Sequence, residues 1–228
     1  MPLAPSPPLS AWGLSGAPEA LAGGFRNTVL RVGDHVLKTT RRSEAAITWL
    51  LPVLHHAGDA GLIVPALRRA GNGCFVVDGW TCEPYLPGAP TSPSVIAAKV
   101  QAMHAALRDW PQRPGFASAR DLCTRDCGGD IDLGAMPAAL VRRLRAAWAK
   151  VPSQRTVVHG DLNAQNILTD ASGRHVLIDW DEARCDAPLF DLRPLDTHPS
   201  RAALAWEVAA CWQLEPDRAR ALAHHFTD

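Results

Sequence analysis

The sequence lacks an excess of charge of either sign. Its 228 residues contain 23 Lys plus Arg and 23 Asp plus Glu, so the formal net charge is zero. A protein whose main task is to bind nucleic acid or an anionic membrane surface usually carries a basic excess or a basic face. We therefore expect no nucleic acid and no membrane among the partners of this chain.

Long hydrophobic runs are also missing. The longest apolar stretch, residues 45–54, is interrupted by Thr48 and Pro52. It is shorter than the roughly 20 residues that cross a bilayer. The proline-rich residues 1–8 have neither the basic nor the apolar region of a signal peptide. These features predict a cytoplasmic protein with a flexible, Pro-rich N-terminus over residues 1–13.

The six cysteines do not follow a metal-binding pattern. Cys123 and Cys127 are spaced to share a helix face, but no nearby pair of histidines accompanies them. A zinc site of the usual kind needs two ligand pairs at defined spacing. We expect reduced, mostly buried thiols, as is usual for a cytoplasmic chain of this size.

Short apolar runs alternate with turn residues in the first third of the chain. The runs 28–32 and 35–38 flank Gly33-Asp34, which predicts a β-hairpin. Ser43 is a suitable N-cap for a helix that ends near Gly58, because apolar residues recur there at helical spacing. Further strands are predicted at 62–67, 74–77 and 80–85.

Turn and breaker residues cluster most densely at 86–90, which predicts a linker. Beyond it, helices are predicted at 93–107, 137–150, 201–214 and 216–225, with short strands at 157–159, 167–168 and 176–178. A run of strands followed by a run of helices is typical of an α+β fold. We expect a strand-rich first lobe over 14–85, a hinge over 86–90, and a mainly helical second lobe over 91–228.

Three polar residues stand out because strand-like runs flank them. Asp161 and Asn166 lie in the segment 157–168, Val-Val-His-Gly-Asp-Leu-Asn-Ala-Gln-Asn-Ile-Leu. Asp179 comes eleven residues after Leu168, in Ile-Asp-Trp-Asp. The Asp161 carboxylate is suited to accepting a proton, and hard oxygen ligands such as those of Asn166 and Asp179 suit Mg²⁺.

His-Gly-Asp-Leu-x-x-x-Asn followed by Ile-Asp-Trp resembles the catalytic loop and metal motif of the aminoglycoside phosphotransferase and choline kinase-like superfamily. These proteins are small-molecule relatives of the protein kinases. The resemblance covers nearly the whole chain from about Leu14, and Phe75–Thr81 with Ala205–Val208 resemble a bacterial subgroup of the superfamily. It implies a two-lobed protein-kinase-like fold, with a small β-rich N-lobe and a mainly helical C-lobe, and an ATP-dependent phosphotransferase activity.

The resemblance also implies residue roles. Asp161 would be the catalytic residue that orients a hydroxyl group and accepts its proton, while His159 would brace the loop. Asn166 and Asp179 would hold Mg²⁺ on the phosphates of ATP. Asp191, in a segment similar to the one that follows the metal motif in the superfamily, would bind the loop backbone. The partner would be a small-molecule hydroxyl acceptor.

Nucleotide-binding positions follow from the same resemblance. Lys38 would contact the phosphates and pair with Glu44 of the next helix. Gly23 and Gly24 would form the turn that covers the phosphates. Backbone groups near Glu83 and Tyr85, at the hinge, would meet the adenine edge. The residues alone also allow Lys38 as a surface charge, Glu44 as a helix-dipole partner and Gly23-Gly24 as a plain hairpin turn.

Two other functions stay open at this level. A scaffold on the same fold would bind nucleotide without transferring phosphate. A protein kinase is disfavoured because the chain has no Gly-x-Gly-x-x-Gly and no Ala-Pro-Glu segment. Acidic residues at 126, 130 and 132 would suit a cationic acceptor, or simply form a solvated loop.

Overall fold

The computed structural model describes residues 6–21, 26–192 and 200–226. The N-lobe contains a four-stranded antiparallel sheet in the order β1-β2-β3-β4. Its strands are β1 Glu19–Ala20, β2 Val29–Val32, β3 His35–Thr39 and β4 Trp80–Pro84. Pairing of Val29 with Lys38 confirms the predicted hairpin, and Gly33 makes its turn with φ of 58°. Because β1 precedes the hairpin, Lys38 lies on the third strand.

The helical segment after β3 also forms as predicted. It is divided into α1, Glu44–Thr48, and α2, Leu50–Asp59. The Ser43 side chain accepts a hydrogen bond from the backbone N–H of Ala46 and so caps α1.

The strands predicted at 62–67 and 74–77 are wrong. These segments make only isolated bridges, Ile63 with Val176 and Val77 with Trp80. The Ile63 N–H bonds to the His175 carbonyl, whereas the Arg68 N–H bonds to the Cys82 carbonyl. Because successive residues dock on different elements, no continuous ladder forms.

The predicted flexible N-terminus is also wrong for its last residues. Leu9–Trp12 form a 3₁₀-helix, and Trp12 is only 2% exposed. Its indole N–H donates to the Arg68 carbonyl at 3.0 Å, and its ring packs in the core of the N-lobe sheet. Burial of an aromatic ring outweighs the tendency of a proline-rich terminus to fray. The N-lobe therefore includes residues before position 14.

The rest of the chain contributes seven further strands and five further helices within the described residues. The strands are β5 Ala89–Pro90, β6 Cys127–Gly128, β7 Ile131–Asp132, β8 Thr156–Val158, β9 Ile167–Thr169, β10 His175–Leu177 and β11 Arg184–Asp186. The helices are α3 Ala97–Ala106, α4 Ala138–Trp148, α5 Leu189–Leu192, α6 Arg201–Cys211 and α7 Pro216–Ala223. This distribution confirms the predicted α+β class, with its antiparallel sheet N-terminal and most helices C-terminal.

The segment predicted as a linker ends inside the C-lobe sheet. There β5 pairs with β9, and β9 pairs with β10. A Cβ atom on Gly88 would lie 2.8 Å from the Leu168 Cβ atom, so only glycine fits this close approach. Residues 89 and 90 are thereby anchored to β9, which follows the loop of residues 159–166.

One apolar core is shared by both lobes. Leu50, Val53 and Leu54 of α2 pack with α3 and with the strands that flank the catalytic loop. Separate clusters lie under the N-lobe sheet and between α4 and α6. The lobes are thus joined by α2 as well as by the hinge, and the cleft lies against this shared core. Within the part of the chain that the structure describes, no helix is long and apolar enough to cross a membrane.

Candidate active site

The loop between β8 and β9 holds Asp161 through local hydrogen bonds. Its Oδ1 atom accepts from Asn163 Nδ2 at 2.9 Å, and its Oδ2 atom accepts from Asn166 Nδ2 at 2.9 Å. Asn166 Nδ2 also donates to the Asp161 carbonyl at 3.0 Å. Because the amide nitrogen of Asn166 faces Asp161, its amide oxygen is directed away and is available as a ligand.

His159 connects this loop to the backbone of Ile178. It is fully buried, and its Nε2 atom lies 3.0 Å from the Ile178 carbonyl oxygen. A carbonyl needs a donor, so Nε2 carries the proton and Nδ1 accepts the Asp161 N–H at 3.3 Å. The ring packs edge-on against Trp180 with centroids 4.9 Å apart. The geometry agrees with a bracing role.

Asp191 holds the loop backbone, as expected. Its carboxylate accepts the N–H of His159 at 2.7 Å and the N–H of Gly160 at 2.8 Å, and it bonds to His104 Nε2 at 2.9 Å. Burial raises the pKa of Asp191, but these donors, led by His104, more than offset burial and hold that pKa below its usual value. The catalytic loop therefore rests on an ionised, fully buried carboxylate.

Gly160 lets the loop pass close to a buried arginine. Its φ is 84°, and a Cβ atom there would lie 2.6 Å from Arg184 Nη1 and 2.7 Å from the Glu182 carbonyl oxygen. The Arg184 guanidinium stacks 3.4 Å from the Trp206 ring centroid and pairs with Asp186 at 3.0 Å. Close packing and positive φ both require glycine at this position.

Lys38 and Asp179 meet across the cleft. Asp179 follows β10 in a left-handed conformation, with φ of 64°, and its carboxylate forms an ion pair with Lys38. Lys38 Nζ also lies 3.1 Å from Asp181 Oδ2. Burial lowers the pKa of Lys38, but Asp181 and Asp179 outweigh burial and raise it above its usual value. With its side chain only 13% exposed, Lys38 is a mostly buried, paired cation rather than a free surface charge.

Glu44 does not pair with Lys38, which corrects the expectation from sequence. Its carboxylate accepts the backbone N–H of Phe75 at 2.9 Å and of Val76 at 2.9 Å. These amides belong to a segment without a strand partner, so a carboxylate satisfies them instead. Through these two hydrogen bonds, Glu44 connects the segment that contains Phe75 and Val76 to α1.

Arg113 is a site residue that sequence reasoning missed. Its side chain is buried and donates Nη1 to the carbonyls of Trp180 at 3.2 Å, Asp181 at 2.9 Å and Ala183 at 3.1 Å, and Nε to that of Ala46 at 3.0 Å. Burial lowers the pKa of Arg113 to about 10. One guanidinium thus fixes the loop after Asp179 against α1. No local motif marks it, because all four acceptors are distant in sequence.

The acidic side chains at 126, 130 and 132 all form hydrogen bonds or ion pairs within the chain. Arg42 binds Asp130 through two hydrogen bonds of 2.8 and 2.9 Å. Asp126 pairs with Arg145 at 2.6 Å, and Asp132 Oδ1 accepts the Gly134 N–H at 3.0 Å. Two of the three acids, Asp126 and Asp130, are therefore compensated in charge by arginines of the chain itself.

Residues 26 and 27 connect the N-lobe to the loop after Asp179. Arg26 donates to Glu182 at 2.8 Å and to Glu215 at 3.0 Å, and Asn27 Nδ2 donates to Asp181 at 2.6 Å. Gly23 and Gly24 immediately precede them in sequence but lie outside the described residues.

Glu83 lines a solvent-open cleft, with about 390 Å³ of empty space, together with Lys38, Thr81 and Asp179. Burial raises the pKa of Glu83 to about 7, with Lys38 opposing the rise and Asp179 adding to it. Tyr85 does not offer its N–H to the cleft, because that group donates to the Asp34 carbonyl at 2.8 Å. Its ring stacks on the Arg31 guanidinium at 3.9 Å.

The donors at the cleft fit a magnesium ion held largely by substrate. In the described ranges 6–21, 26–192 and 200–226, no group of three or more His, Cys, Asp or Glu side chains is arranged to hold a metal by itself. Mg²⁺ is usually bound by one or two carboxylates, with waters and substrate phosphates completing its shell. The Asp179 carboxylate, 41% exposed, and the Asn166 amide oxygen are donors of this type.

The two-lobed α+β fold pairs Lys38 with Asp179, and the Ile178 N–H beside Asp179 bonds to the Asn166 carbonyl at 3.0 Å. This is the arrangement of a kinase-like phosphotransferase. The chain belongs to the phosphotransferase enzyme family, whose model matches residues 18–225. The family supports a small-molecule kinase as the general kind of activity. No curated protein sequence is a significant match to this chain.

Solved structures share the fold at low sequence identity. A choline/ethanolamine kinase family protein from Mesorhizobium loti is 19% identical, with a TM-score of 0.55 over 97% of this chain and 88% of its own. The amicoumacin kinase hAmiN, in complex with AMP-PNP, Ca²⁺ and Ami, is 14% identical, with a TM-score of 0.61 over 96% and 75%. The choline kinase LicA from Streptococcus pneumoniae is 16% identical, with a TM-score of 0.53 over 95% and 76%.

Proposed function

We propose that this chain transfers the γ-phosphate of Mg-ATP to a hydroxyl group of a small molecule. The observation that carries the proposal is the meeting of Lys38 and Asp179 across the cleft. A cation from one lobe and an anion from the other, both at the mouth of a cavity, are the parts that phosphoryl transfer needs for positioning and charge neutralisation. Nucleotide-bound relatives such as the amicoumacin kinase support the same reading.

Each residue then has a defined task. Asp161 orients the acceptor hydroxyl and takes its proton, with its two oxygens held by Asn163 and Asn166. Lys38 binds the phosphates. Asn166 Oδ1 and Asp179 would hold Mg²⁺, which when bound neutralises charge on the phosphates. Gly23 and Gly24 are proposed to cover the phosphates, because glycine lets the backbone approach them closely.

The adenine edge is proposed to meet the backbone on either side of Tyr85. The Tyr85 N–H donates to the carbonyl of Asp34, which immediately precedes β3, so this N–H points to the β3 side of the chain. Backbone groups of neighbouring residues in an extended chain point to opposite sides. The Pro84 carbonyl and the Leu86 N–H are therefore directed away from β3. They would serve as acceptor and donor for the base, which refines the sequence prediction of Glu83 and Tyr85.

The cytoplasm is the proposed compartment, because all six cysteines are free thiols. A small molecule is the proposed partner, with neither nucleic acid nor membrane as an alternative. The ion pairs of Asp126 and Asp130 with arginines of the chain weaken the case for a polycationic acceptor. A screen for the acceptor should therefore span neutral and anionic hydroxyl compounds as well as amino alcohols.

Thermal unfolding with and without Mg-ATP tests the proposal without knowledge of the acceptor. Ligand at about 100 times its dissociation constant adds about 2.7 kcal/mol of stability, or about 5–10 °C for a chain of this size. We expect a Mg²⁺-dependent shift in the wild type and its loss in Asp179→Ala. No shift at millimolar Mg-ATP would overturn the proposal. A shift without turnover on any acceptor would favour a nucleotide-binding scaffold instead.

A further inference from the structure

Lys38 lacks the helix glutamate that the sequence led us to expect. The Glu44 carboxylate is bound to the amides of Phe75 and Val76. The carboxylates that Lys38 does contact are Asp179 and Asp181. Under the proposed function, Asp179 is a magnesium ligand. When its charge is shared with a metal ion, it holds Lys38 less strongly, and a third anion is needed to keep the ammonium in place.

Glu83 is positioned to be that anion. In the antiparallel pairing of β3 with β4, Lys38 lies opposite Thr81 and Val36 lies opposite Glu83. Side chains alternate between the two faces of a strand, so Lys38, Thr81 and Glu83 share the face that lines the cavity. Glu83 is the diagonal cross-strand neighbour of Lys38, a spacing of about 7–8 Å that long side chains bridge.

The surroundings of Glu83 leave its carboxylate available. Among the residues that the structure describes, it makes no hydrogen bond and no ion pair with another side chain. The positive field of Lys38 lowers the pKa of Glu83, whereas the acids Asp179 and Asp181 raise it. Three acidic side chains, those of Asp179, Asp181 and Glu83, thus act on one ammonium.

We propose that Glu83, on β4, replaces the helix glutamate as the residue that orients Lys38 towards the nucleotide phosphates. This inference rests on the proposed function and makes Glu83 a positioning residue that acts through Lys38. It differs from a role in contacting the base, which would be independent of Lys38.

A double-mutant cycle on nucleotide affinity separates these two roles. Equilibrium binding of Mg-ATP is measured for the wild type, Glu83→Gln, Lys38→Met and the double variant. We expect Glu83→Gln to weaken binding about tenfold, as for loss of one charge-assisted contact. On the Lys38→Met background we expect it to change binding by less than about twofold. Glu44→Gln should keep wild-type affinity.

Amine labelling gives a second readout that does not require Lys38→Met to fold. The chain has three lysines, Lys38, Lys99 and Lys150, so the last two are internal standards. With Mg²⁺ present and nucleotide absent, we expect acylation of Lys38 to be faster in Glu83→Gln than in the wild type. Removing one of the anions that act on Lys38 makes its ammonium easier to deprotonate, so the free amine is populated more often.

Failure of the proposed function and failure of the role proposed for Glu83 give different results. A wild type that does not bind Mg-ATP overturns the proposed function and this inference with it. Wild-type binding with equal losses from Glu83→Gln in both backgrounds overturns this inference alone. Unchanged affinity together with unchanged Lys38 labelling in Glu83→Gln overturns it as well, since a positioning residue must alter one of them.

Discussion

The Nδ2 atom of Asn166 lies 2.9 Å from the Oδ2 atom of Asp161, five positions earlier in the same loop. The proposed base is therefore held by the residue whose amide oxygen is the proposed metal ligand. Because a displacement of the Asn166 side chain also displaces the Asp161 carboxylate, proton acceptance and metal binding are geometrically linked in the proposed arrangement. Such linkage is valuable where a displacement of about 1 Å costs about a hundredfold in rate.

Replacement of Asp161 by asparagine should separate chemistry from binding. The amide keeps the size of the carboxylate but cannot take a proton, so we expect turnover to fall by about 10²–10⁴-fold. Mg-ATP affinity should stay within about twofold, because Asp161 does not contact the phosphates in the proposed arrangement. The measurement is single-turnover phosphate transfer to the acceptor found by screening. Full turnover in Asp161→Asn would refute its assignment as the base.

Replacement of Asp191 by asparagine should destabilise the fold in a pH-dependent way. The folded pKa of Asp191 is depressed, so its stabilising contribution is present above the unfolded value of about 3.9 and is lost as pH falls through the folded pKa. At pH 7 we expect a loss of about 3–5 kcal/mol in the free energy of unfolding.

Urea unfolding between pH 7 and pH 3 checks this prediction. The difference between wild type and Asp191→Asn should begin to shrink from about pH 5 downward. Asp217→Asn, at a side chain that is 99% exposed, is the matched control and should give no difference. A difference that stays constant with pH would show that shape, rather than charge, accounts for the loss.

Replacement of Arg113 by methionine should loosen the loop after Asp179. Four carbonyl oxygens lose the guanidinium as a donor, although the Trp180 carbonyl keeps the Ala183 N–H at 3.2 Å, so we expect a loss of about 3 kcal/mol in stability. Mg-ATP affinity should fall as well, because Asp179 and Asp181 lose a fixed backbone.

Calorimetric melting and Mg-ATP titration measure both effects. Arg113→Lys should be intermediate in stability, since one ammonium keeps the charge but cannot span both α1 and the loop. Arg220→Met, at a side chain that is 67% exposed, should melt like the wild type. Equal melting temperatures for Arg113→Met and the wild type would contradict the role given to this guanidinium.

Replacement of Gly160 by alanine should disturb catalysis through the backbone. The added methyl group would meet Arg184 Nη1 at 2.6 Å, and the left-handed φ of 84° adds strain of about 1 kcal/mol or more. We expect a lower melting temperature and a lower turnover, with Mg-ATP affinity less affected. Gly173→Ala is the control, because its φ is 78° but nothing lies within 4 Å of the added atom. Similar turnover in the two variants would show that contact with Arg184 is unimportant.

Elements with nearby partners could be predicted from the sequence. The β2–β3 hairpin and the cap at Ser43 join residues at most eleven positions apart. Turns and helix caps are determined over that range, so the residue types at these positions predict the hairpin and the cap. The segments 62–67 and 74–77 had strand-like composition, but strand formation also needs a continuous partner, which composition does not report.

By itself, then, the sequence determined the α+β class, the order of its lobes and the motifs that carry Asp161, Asn166 and Asp179. Only the tertiary structure decided which groups surround them. Trp12 is bound to a carbonyl 56 residues away and Arg113 to carbonyls 67 to 70 residues away, while Glu44 turned from Lys38 to the amides of Phe75 and Val76. These contacts form because buried polar groups need a hydrogen-bond partner after the cores have packed. Which groups become buried together depends on the assembled fold, so the sequence alone does not show it.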